Sequence, residues 1–345
     1  MICLVKILVE NLPVKARHLT LAAILSVISS GVFANEDSAL FIQRESVREY
    51  IRQISEEHDL NVNRVAGLFS RLTRQQSILD AISRPAERTL NWGAYKPIFL
   101  TKKRIDGGVA FCYEHKDLLE QAQARFGVPA EIITAIIGVE TFYGGNTGSY
   151  RVLEALATLA FDYPRRSEFF TKEMTEFLRL SEGEGWQTVS VKGSYAGAMG
   201  MPQFIASSYQ QYAIDFDDDG KRDLFDSYAD IIGSVANYLN RHGWREAEPI
   251  AERWLPEGGI TASMNALVRE SLSPDIASNT VKALGFKVPQ LVKDAKLSVM
   301  TMNSDDAQEL WVGYQNFYTI TRYNHSRLYA MAVFQLAEAI REASS

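Results

Sequence analysis

Residues 130–145, AEIITAIIGVETFYGG, constrain the fold more than any other stretch, because a helix formed here is apolar on every side. Such a helix must be surrounded by other elements, since no face of it suits water. Pro129 stands at a favoured first-turn position, Glu131 complements the helix dipole, and Gly144-Gly145 supplies a stop. We therefore expect a central helix around which a domain packs.

One carboxylate, Glu140, lies inside this apolar run. Acidic side chains are rarely buried unless they are paired or put to use. The negative end of the helix dipole and apolar neighbours such as Ile136 and Phe142 both raise a carboxyl pKa. An acid that keeps its proton near neutral pH can protonate a leaving oxygen, as glycosidases require. The alternative is a structural glutamate bound to Arg165 or Arg166, since structural ion pairs also perturb pKa values.

The N-terminal residues 1–34 are typical of a cleaved signal peptide. Lys15 and Arg17 precede the apolar run LTLAAILSVIS, and the small residues of GVFA precede Asn35. The run is short for a bilayer span, and no cysteine at its end could accept a lipid. Cys112 would be the only thiol left after cleavage, so no internal disulfide is expected. The sequence predicts an exported protein that is stabilised by its core alone.

Charge argues against nucleic acid as a partner. The chain has 36 basic and 42 acidic residues, and removing residues 1–34 leaves 33 and 41, a net charge of −8. No block of Lys and Arg forms a patch that could follow phosphates. No glycine-rich fingerprint of a dinucleotide or P-loop site occurs in a strand–helix context.

Apolar periodicity predicts helices over 38–84, 108–126, 152–160 and 167–180, over most of 228–243, and near the C-terminus. Residues 86–96, between two prolines, are predicted to be a connector with Trp92 and Tyr95 exposed to some degree. Residues 246–311 contain short apolar pieces cut by Pro and Gly, which indicates an inserted, partly β segment.

An acidic loop, DFDDDGKRDLFD, runs from Asp215 to Asp226 and has the D-x-D-x-D-G spacing of an EF-hand calcium loop. Alternate acidic residues point their oxygens inward, and Gly220 at the sixth position permits the sharp turn. The usual closing glutamate is absent, and either Asp226 or Asp230 could replace it. We expect structural Ca²⁺ in preference to Mg²⁺; the alternative is a solvated acidic turn. The other predicted ligands are the carboxylates of Asp215, Asp217 and Asp219 and the carbonyl of Lys221.

Five motifs together resemble the lytic murein transglycosylase B family. GVETFYGGNTGSYRVLEALATLAFDYPRR, KGSYAGAMGMPQF, the acidic loop, DIIGSVANYLNRHGW and FYTITRYNHSRLYAMAV occur in the order seen in that family. The resemblance runs from about residue 40 to the C-terminus and makes the structural reading of Glu140 the weaker one. It also favours Asp230 as the closing metal ligand and leaves Asp223 and Asp226 as uncertain ligands.

The resemblance implies a mainly α (α+β) fold with a lysozyme-like catalytic core. The expected division is a helical N-terminal domain at 35–115, the core at 116–245 and 312–345 with its EF-hand-like loop at 215–230, and a small β-containing subdomain at 246–311. Ala206 stands where the family often has proline, which would loosen that turn without touching the chemistry.

The resemblance further implies that Glu140 acts first as an acid and then as a base on peptidoglycan. It would protonate the glycosidic oxygen between N-acetylmuramic acid and N-acetylglucosamine, then deprotonate the muramoyl C6 hydroxyl that closes a 1,6-anhydro ring. No cofactor and no second carboxylate would be needed, although Glu154, Asp162 or Glu168 could approach in three dimensions.

Substrate-binding residues carry over one at a time. Tyr95 matches a groove tyrosine, the pair Arg165 and Arg166 suits a carboxylate of the substrate, and aromatic faces suit pyranose rings. Of these candidates, Met199, Phe204 and Tyr329 could equally be core residues. The remaining expected contacts are Ser194, Gln203, Tyr238, Tyr323 and Asn324.

The leading hypothesis is a monomeric peptidoglycan lyase of the periplasm that acts on glycan strands and has contacts with cell-wall synthesis complexes. The alternatives are a muramidase that hydrolyses the same bond and a catalytically silent peptidoglycan-binding scaffold.

Overall fold

The structure is a computed structural model that describes residues 40–83 and 90–345; the predicted signal peptide lies outside them. The chain is mainly helical, with two small antiparallel sheets. The helices are α1 (Glu45–His58), α2 (Val62–Phe69), α3 (Gln76–Ile82), α4 (Trp92–Phe99), α5 (Lys102–Glu114), α6 (Lys116–Phe126), α7 (Ala130–Thr141), α8 (Val152–Asp162), α9 (Ser167–Gly183), α10 (Ala206–Tyr212), α11 (Tyr228–Arg241), α12 (Ala262–Asn265), α13 (Ser278–Ala283), α14 (Gln315–Tyr323) and α15 (Arg327–Ser344).

The strands are short except for one hairpin. β1 (Tyr150–Arg151) pairs with β2 (Lys192–Gly193), and a four-stranded sheet has the order β3-β6-β5-β4. The strands of that sheet are β3 (Ala251–Trp254), β4 (Ile276–Ala277), β5 (Lys296–Asn303) and β6 (Gln308–Gly313).

The central helix predicted from the apolar run is confirmed as α7. Every residue from Ile132 to Thr141 is buried, because α5, α6, α11 and α15 all pack against this helix. A helix that is apolar all round can be stable only when it is enclosed in this way.

The end of α7 differs from the prediction. The helix ends before the two glycines, because Phe142 and Tyr143 take left-handed backbone conformations with φ of 54° and 58°. Side-chain contacts offset the cost of this conformation for residues with a Cβ. The Arg104 guanidinium lies 4.9 Å from the centre of the Phe142 ring, and the Tyr143 hydroxyl donates to the Arg104 carbonyl at 2.8 Å.

Two further expectations about the helices were wrong. The predicted connector is partly the helix α4, in which Trp92 and Tyr95 are 4% and 0% exposed. The predicted helix over 108–126 is two helices that meet at His115. The helix predicted near the C-terminus is confirmed as α15, whereas the helix α14 before it was not predicted; the break between them at Asn324–Ser326 contributes to the site described below.

The buried apolar residues form two clusters. The larger cluster runs from Phe41 in the N-terminal helices to Ile340 in α15. The smaller one lies between Trp254 and Tyr314 and supports the four-stranded sheet, which confirms that the segment after residue 246 contains strands. The strand β6 continues past the expected boundary at residue 311, to Gly313.

Within residues 40–83 and 90–345, no single helix has the length and apolar composition to cross a membrane. The helices α6 and α7 together have enough length and apolar character, but their axes are bent by 112° where they meet.

Candidate active site

A cavity of about 250 Å³ opens beside the last turn of α7, and we call it the Glu140 pocket. Glu140 lines it, is 7% exposed, and is the only carboxylate that does so among the described residues. The other lining residues are Arg166, Phe169, Ala198, Gln203, Phe204, Ile205, Ser208, Tyr238, Arg322, Tyr323, Asn324 and His325.

Tyr329 holds one oxygen of the Glu140 carboxylate. Its hydroxyl donates to Glu140 Oε1 at 2.6 Å. Burial, and then the charge of Glu140, raise the pKa of the Tyr329 phenol, so this hydroxyl keeps its proton and remains a donor. The backbone of Tyr329 is fixed in turn, because Ser326 caps the start of α15 and accepts from the Tyr329 amide at 3.3 Å.

An aromatic wall stands beside the carboxylate. The centre of the Phe204 ring lies 5.6 Å from that of Tyr238 and 5.8 Å from that of Tyr323. The Tyr238 and Tyr323 ring centres are 4.8 Å apart. The hydroxyls fix these rings in place: Tyr323 donates to the Pro202 carbonyl and Tyr238 to the Arg322 carbonyl, each at 2.6 Å. Fixed aromatic faces of this kind suit the apolar faces of sugar rings.

The glycine-rich loop between β2 and α10 contributes Ala198, Gln203, Phe204 and Ile205 to the lining of the pocket. Gln203 has φ of 55°, and its amide donates to the carbonyls of Thr147 and Gly200 at 3.0 and 2.9 Å. Ser194 shapes the same loop, because its hydroxyl accepts from the amides of Ala196 and Ala198 at 3.3 and 3.0 Å. The loop is therefore held by side-chain bonds to its own backbone and to the Thr147 carbonyl of the segment before β1.

Two arginines give the pocket positive charge, and a histidine lies beside them. The Arg166 guanidinium lies 4.1 Å from the centre of the Phe169 ring, and that of Arg322 lies 4.2 Å from the Tyr318 ring. Burial and the Arg322 charge lower the pKa of His325, which favours its neutral form. Each guanidinium therefore stacks on an aromatic ring, which is a favourable place for its charge.

The pocket brings together seven of the twelve predicted catalytic and substrate-binding residues: Glu140, Arg166, Gln203, Phe204, Tyr238, Tyr323 and Asn324. Tyr329 adjoins it through its bond to Glu140. The other four do not line the pocket: Tyr95 is fully buried, Met199 and Ser194 are buried in the loop, and Arg165 is exposed elsewhere.

The other carboxylates that the sequence left open bind elsewhere. Glu154 accepts from the Thr73 hydroxyl at 3.0 Å, and Asp162 pairs with Arg44 at 2.9 Å. Glu168 pairs with Lys172 on the exposed side of α9 at 2.8 Å.

Sequence reasoning missed six lining residues. Arg322 and His325 flank the predicted Tyr323 and Asn324 inside one quoted motif, so that motif was the signal for them. Ala198 likewise lies beside the predicted Met199 inside a quoted motif, whereas no pattern in the sequence singles out Phe169, Ile205 and Ser208.

The acidic loop brings three carboxylates together. Single oxygens of Asp215, Asp217 and Asp230 all lie within 4.8 Å of one another, and Asp230 is 1% exposed. Gly220 makes the predicted sharp turn with φ of 89°. Both oxygens of Asp230 also accept backbone amides, from Phe216 and Asp223 at 2.7 Å each.

Two of the remaining loop acids accept hydrogen bonds from the backbone. Asp219 accepts from the Lys221 amide at 2.9 Å, and Asp223 from the amides of Phe225 and Asp226 at 2.8 and 3.0 Å. Neither carboxylate joins the cluster of three. A closely spaced set of carboxylate oxygens on a tight loop fits a hard divalent cation such as Ca²⁺.

Comparison with known proteins identifies the family of the chain. Residues 43–338 match the family described as the transglycosylase SLT domain. Membrane-bound lytic murein transglycosylase B of Escherichia coli K12 is 37% identical over 316 residues, which are 87% of this chain and 84% of that protein.

Solved structures are similar over most of the chain. Soluble lytic transglycosylase SltB1 of Pseudomonas aeruginosa is 46% identical, with a TM-score of 0.81 over 86% of this chain and 99% of that one. The Escherichia coli lytic transglycosylase Slt35 in complex with calcium is 36% identical, with a TM-score of 0.77 over 91% and 96%. SltB3 of Pseudomonas aeruginosa in complex with NAG-anhNAM-pentapeptide is 28% identical, with a TM-score of 0.74 over 86% and 79%.

The fold class expected from the sequence is confirmed, since these neighbours are lytic transglycosylases of lysozyme-like fold. With a family match over most of its length and relatives this similar, the chain belongs to the lytic murein transglycosylases, enzymes that cleave peptidoglycan.

Proposed function

We propose that Glu140 alone performs the acid and the base step of peptidoglycan cleavage in this chain. The observation that carries the proposal is that, among the described residues, Glu140 is the single carboxylate in a pocket otherwise lined by aromatic, aliphatic, hydroxyl, amide and cationic groups. A hydrolytic glycosidase ordinarily places a second carboxylate 5 to about 10 Å from the acid, to activate water or to attack the sugar. A mechanism without water needs only one such group.

The first step is protonation of the leaving oxygen. The proton of the Glu140 carboxyl passes to the glycosidic oxygen as the bond from muramoyl C1 to that oxygen breaks, and the N-acetylglucosamine leaves with a free hydroxyl. The acetamido oxygen of the same muramoyl unit supports the positive charge at C1. The low accessibility of Glu140 keeps bulk water from competing for C1.

The second step restores the acid. The Glu140 carboxylate takes the proton of the muramoyl C6 hydroxyl while O6 bonds to C1, which closes the 1,6-anhydro ring. Tyr329 supports the carboxylate between the two steps, because a hydroxyl donor stabilises the charged form. No group outside Glu140 and the substrate gains or loses a proton overall.

Substrate binding follows from the walls of the pocket. The rings of Phe204, Tyr238 and Tyr323 lie along the sugar, and the amides of Gln203 and Asn324 face its polar edges. The stacked guanidinium of Arg166 binds a carboxylate of the lactyl or peptide substituent. Arg165 assists from outside the pocket, while Tyr95, Ser194 and Met199 support the walls from behind.

The test compares two carboxamide variants on purified sacculi. Glu140→Gln is expected to lower the rate of cleavage by about 10²- to 10⁴-fold, the usual contribution of a general acid–base group. Glu168→Gln removes an exposed carboxylate near the pocket and should keep the wild-type rate. Unchanged turnover by Glu140→Gln would remove Glu140 from the mechanism and would favour a scaffold role for the site.

Calcium is proposed as a structural ion of the acidic loop. Asp215, Asp217 and Asp230 would hold it, joined by Asp219 and the Lys221 carbonyl if the loop tightens around the ion. The relative Slt35 was solved with calcium, which supports the proposal. An ion there would offset the mutual repulsion of the carboxylates and join the loop to the start of α11. The chemistry at Glu140 needs no metal.

The division of the chain and its location are proposals of the same kind. We propose a helical N-terminal domain at 35–115, a core at 116–245 and 312–345, and a β-containing subdomain at 246–311, within an exported, monomeric periplasmic protein. The relative from Escherichia coli is named membrane-bound, which agrees with action at the cell envelope. Fractionation of cells that express the full chain, with N-terminal sequencing for a start at Asn35, tests the location.

A further inference from the structure

Glu173 is a buried carboxylate that the chemistry at Glu140 does not use. It lies on α9, is 5% exposed, and has no cationic partner in the part of the chain that the structure describes. Phe170, Met174 and Phe177 on the same helix are each 0% exposed. A carboxylate without a cation is costly to bury in such surroundings, so its hydrogen bonds must account for its place there.

Both oxygens of Glu173 bind the start of α10. Its Oε1 accepts from the Ser207 hydroxyl at 2.6 Å, and its Oε2 accepts from the Ser207 amide at 3.0 Å. Burial raises the pKa of the Glu173 carboxyl, and hydrogen bonds from Ser207 and from the Ala206 amide oppose that rise. The first amides of a helix have no partner within it, and Ile205 at the N-cap position has no side-chain oxygen to accept them. Glu173 therefore supplies, from another helix, the cap that α10 lacks.

The two helices that Glu173 joins both carry residues of the Glu140 pocket. Phe169 lies four residues before Glu173, on the same side of α9, and lines the pocket. Ile205 and Ser208 lie within two residues of Ser207 and line it as well. Hydrogen bonds weaken steeply when they are bent, so they fix the place of α10 against α9 more narrowly than apolar contact alone. The separation of these lining residues therefore depends on the contact between Glu173 and Ser207.

We propose that Glu173 is a positioning residue for peptidoglycan cleavage, which holds the α10 side of the Glu140 pocket at the distance from α9 that the bound sugar requires. The inference rests on the proposed function, because it takes this pocket as the place where the sugar beside the cleaved bond binds. Glu173 lies outside the pocket and acts through Ser207. Its loss weakens contacts that the bound substrate and the transition state share, which raises KM and leaves kcat.

Steady-state cleavage of soluble glycan strands by three variants on α9 tests the proposal. Glu173→Met removes both acceptor oxygens and keeps a long unbranched side chain; we expect KM to rise about tenfold, the equivalent of one net hydrogen bond, with kcat close to the wild-type value. Glu173→Gln keeps one oxygen for the Ser207 amide and should raise KM less. The matched control is Glu176→Met, which removes a carboxylate that pairs with Arg179 at 3.1 Å and should keep the wild-type KM.

Ser207→Ala tests the same contact from α10 and covers the case in which Glu173→Met does not fold. It should raise KM alone, and adding it to Glu173→Met should raise KM no further, because the hydroxyl then has no partner to lose. A wild-type KM for Ser207→Ala and Glu173→Gln, even with lowered melting temperatures, overturns the proposal, as do effects on KM that multiply in the double variant. Failure of the proposed function shows separately, as a wild-type enzyme that releases no anhydro product.

Discussion

Glu140 and Tyr329 meet across 189 positions of sequence, and their hydrogen bond joins the last turn of α7 to the first turn of α15. No local sequence pattern links the two residues, and the sequence could place them together only through the resemblance to a family. The apolar surroundings of Glu140 could be predicted from its own helix. The hydrogen bond from Tyr329 could not be predicted in the same way, because it depends on how α7 and α15 pack against each other.

Replacing Tyr329 by Phe removes this bond and keeps the ring. Because a hydrogen bond to a charged group contributes about 1.5–3 kcal/mol, we expect kcat to fall about 10- to 100-fold with KM nearly unchanged. Tyr113→Phe is the control, since Tyr113 is 85% exposed. A parallel rise in KM, or a melting temperature that falls together with kcat, would mean that Tyr329 supports the fold and not the carboxylate.

At the scale of helices, close approach around Tyr143 decides how α5 and α7 pack. A Cβ on Gly138 would lie 2.6 Å from the Tyr143 hydroxyl and 2.7 Å from the ring carbon that carries it. The ring cannot easily move away, because its hydroxyl donates to the Arg104 carbonyl and the Arg104 side chain donates to the Gly138 carbonyl. This glycine therefore sets the distance between the two helices.

Gly138→Ala should destabilise the protein by about 1–3 kcal/mol, the usual cost of adding a methyl group to a close-packed site. Gly67→Ala provides the control in α2, where a Cβ meets nothing within 4 Å. That variant should gain about 0.5–1 kcal/mol, because alanine favours a helix more than glycine does. Urea denaturation of both variants measures the difference; equal stabilities would refute the packing argument.

The proposed calcium ion in the acidic loop predicts how chelation changes the stability of the protein. Chelation by EDTA should lower the melting temperature more than it lowers activity at room temperature, because the ion would stabilise the loop and take no part in catalysis. Asp215→Asn should remove most of the difference between melting curves with and without Ca²⁺. Superimposable curves for the wild-type protein in the two conditions would contradict a structural metal site.

Periodicity predicted the existence of most helices and failed at their breaks. The apolar pattern of residues 132–141 requires burial whatever the partners are, so the central place of α7 could be inferred. The stop at Phe142, the break at His115 and the burial of Tyr95 depend on tertiary contacts that local pattern does not contain. The break at Asn324–Ser326 matters most for the site, because Asn324 and His325 lie in it and line the pocket.

For the whole molecule, three histidines that are partly desolvated predict how stability depends on pH. Burial is the main cause that lowers the pKa of His115, His242 and His325 below the ordinary value of 6.5. Below pH 6.5 the unfolded chain therefore binds more protons than the folded one, so the free energy of unfolding falls on acidification through that range. Burial raises the pKa of Glu173, which acts in the opposite direction above pH 4.5.

Replacing these three histidines with glutamine isolates their share. The wild-type protein should lose more stability than the triple variant between pH 7 and about pH 5.5, when both are unfolded by urea at each pH. Parallel curves would show that the histidines are equally free to take up protons in the folded and unfolded states.

The central claim is that the muramoyl C6 hydroxyl, and not water, attacks C1 and closes a 1,6-anhydro ring. The most direct test is to digest sacculi in water enriched in ¹⁸O and to measure the masses of the released muropeptides by mass spectrometry. We predict muramoyl ends that are one water lighter than reducing ends and carry no ¹⁸O, and that disappear with Glu140→Gln. Reducing muramoyl ends that carry the label would contradict the account and establish hydrolysis.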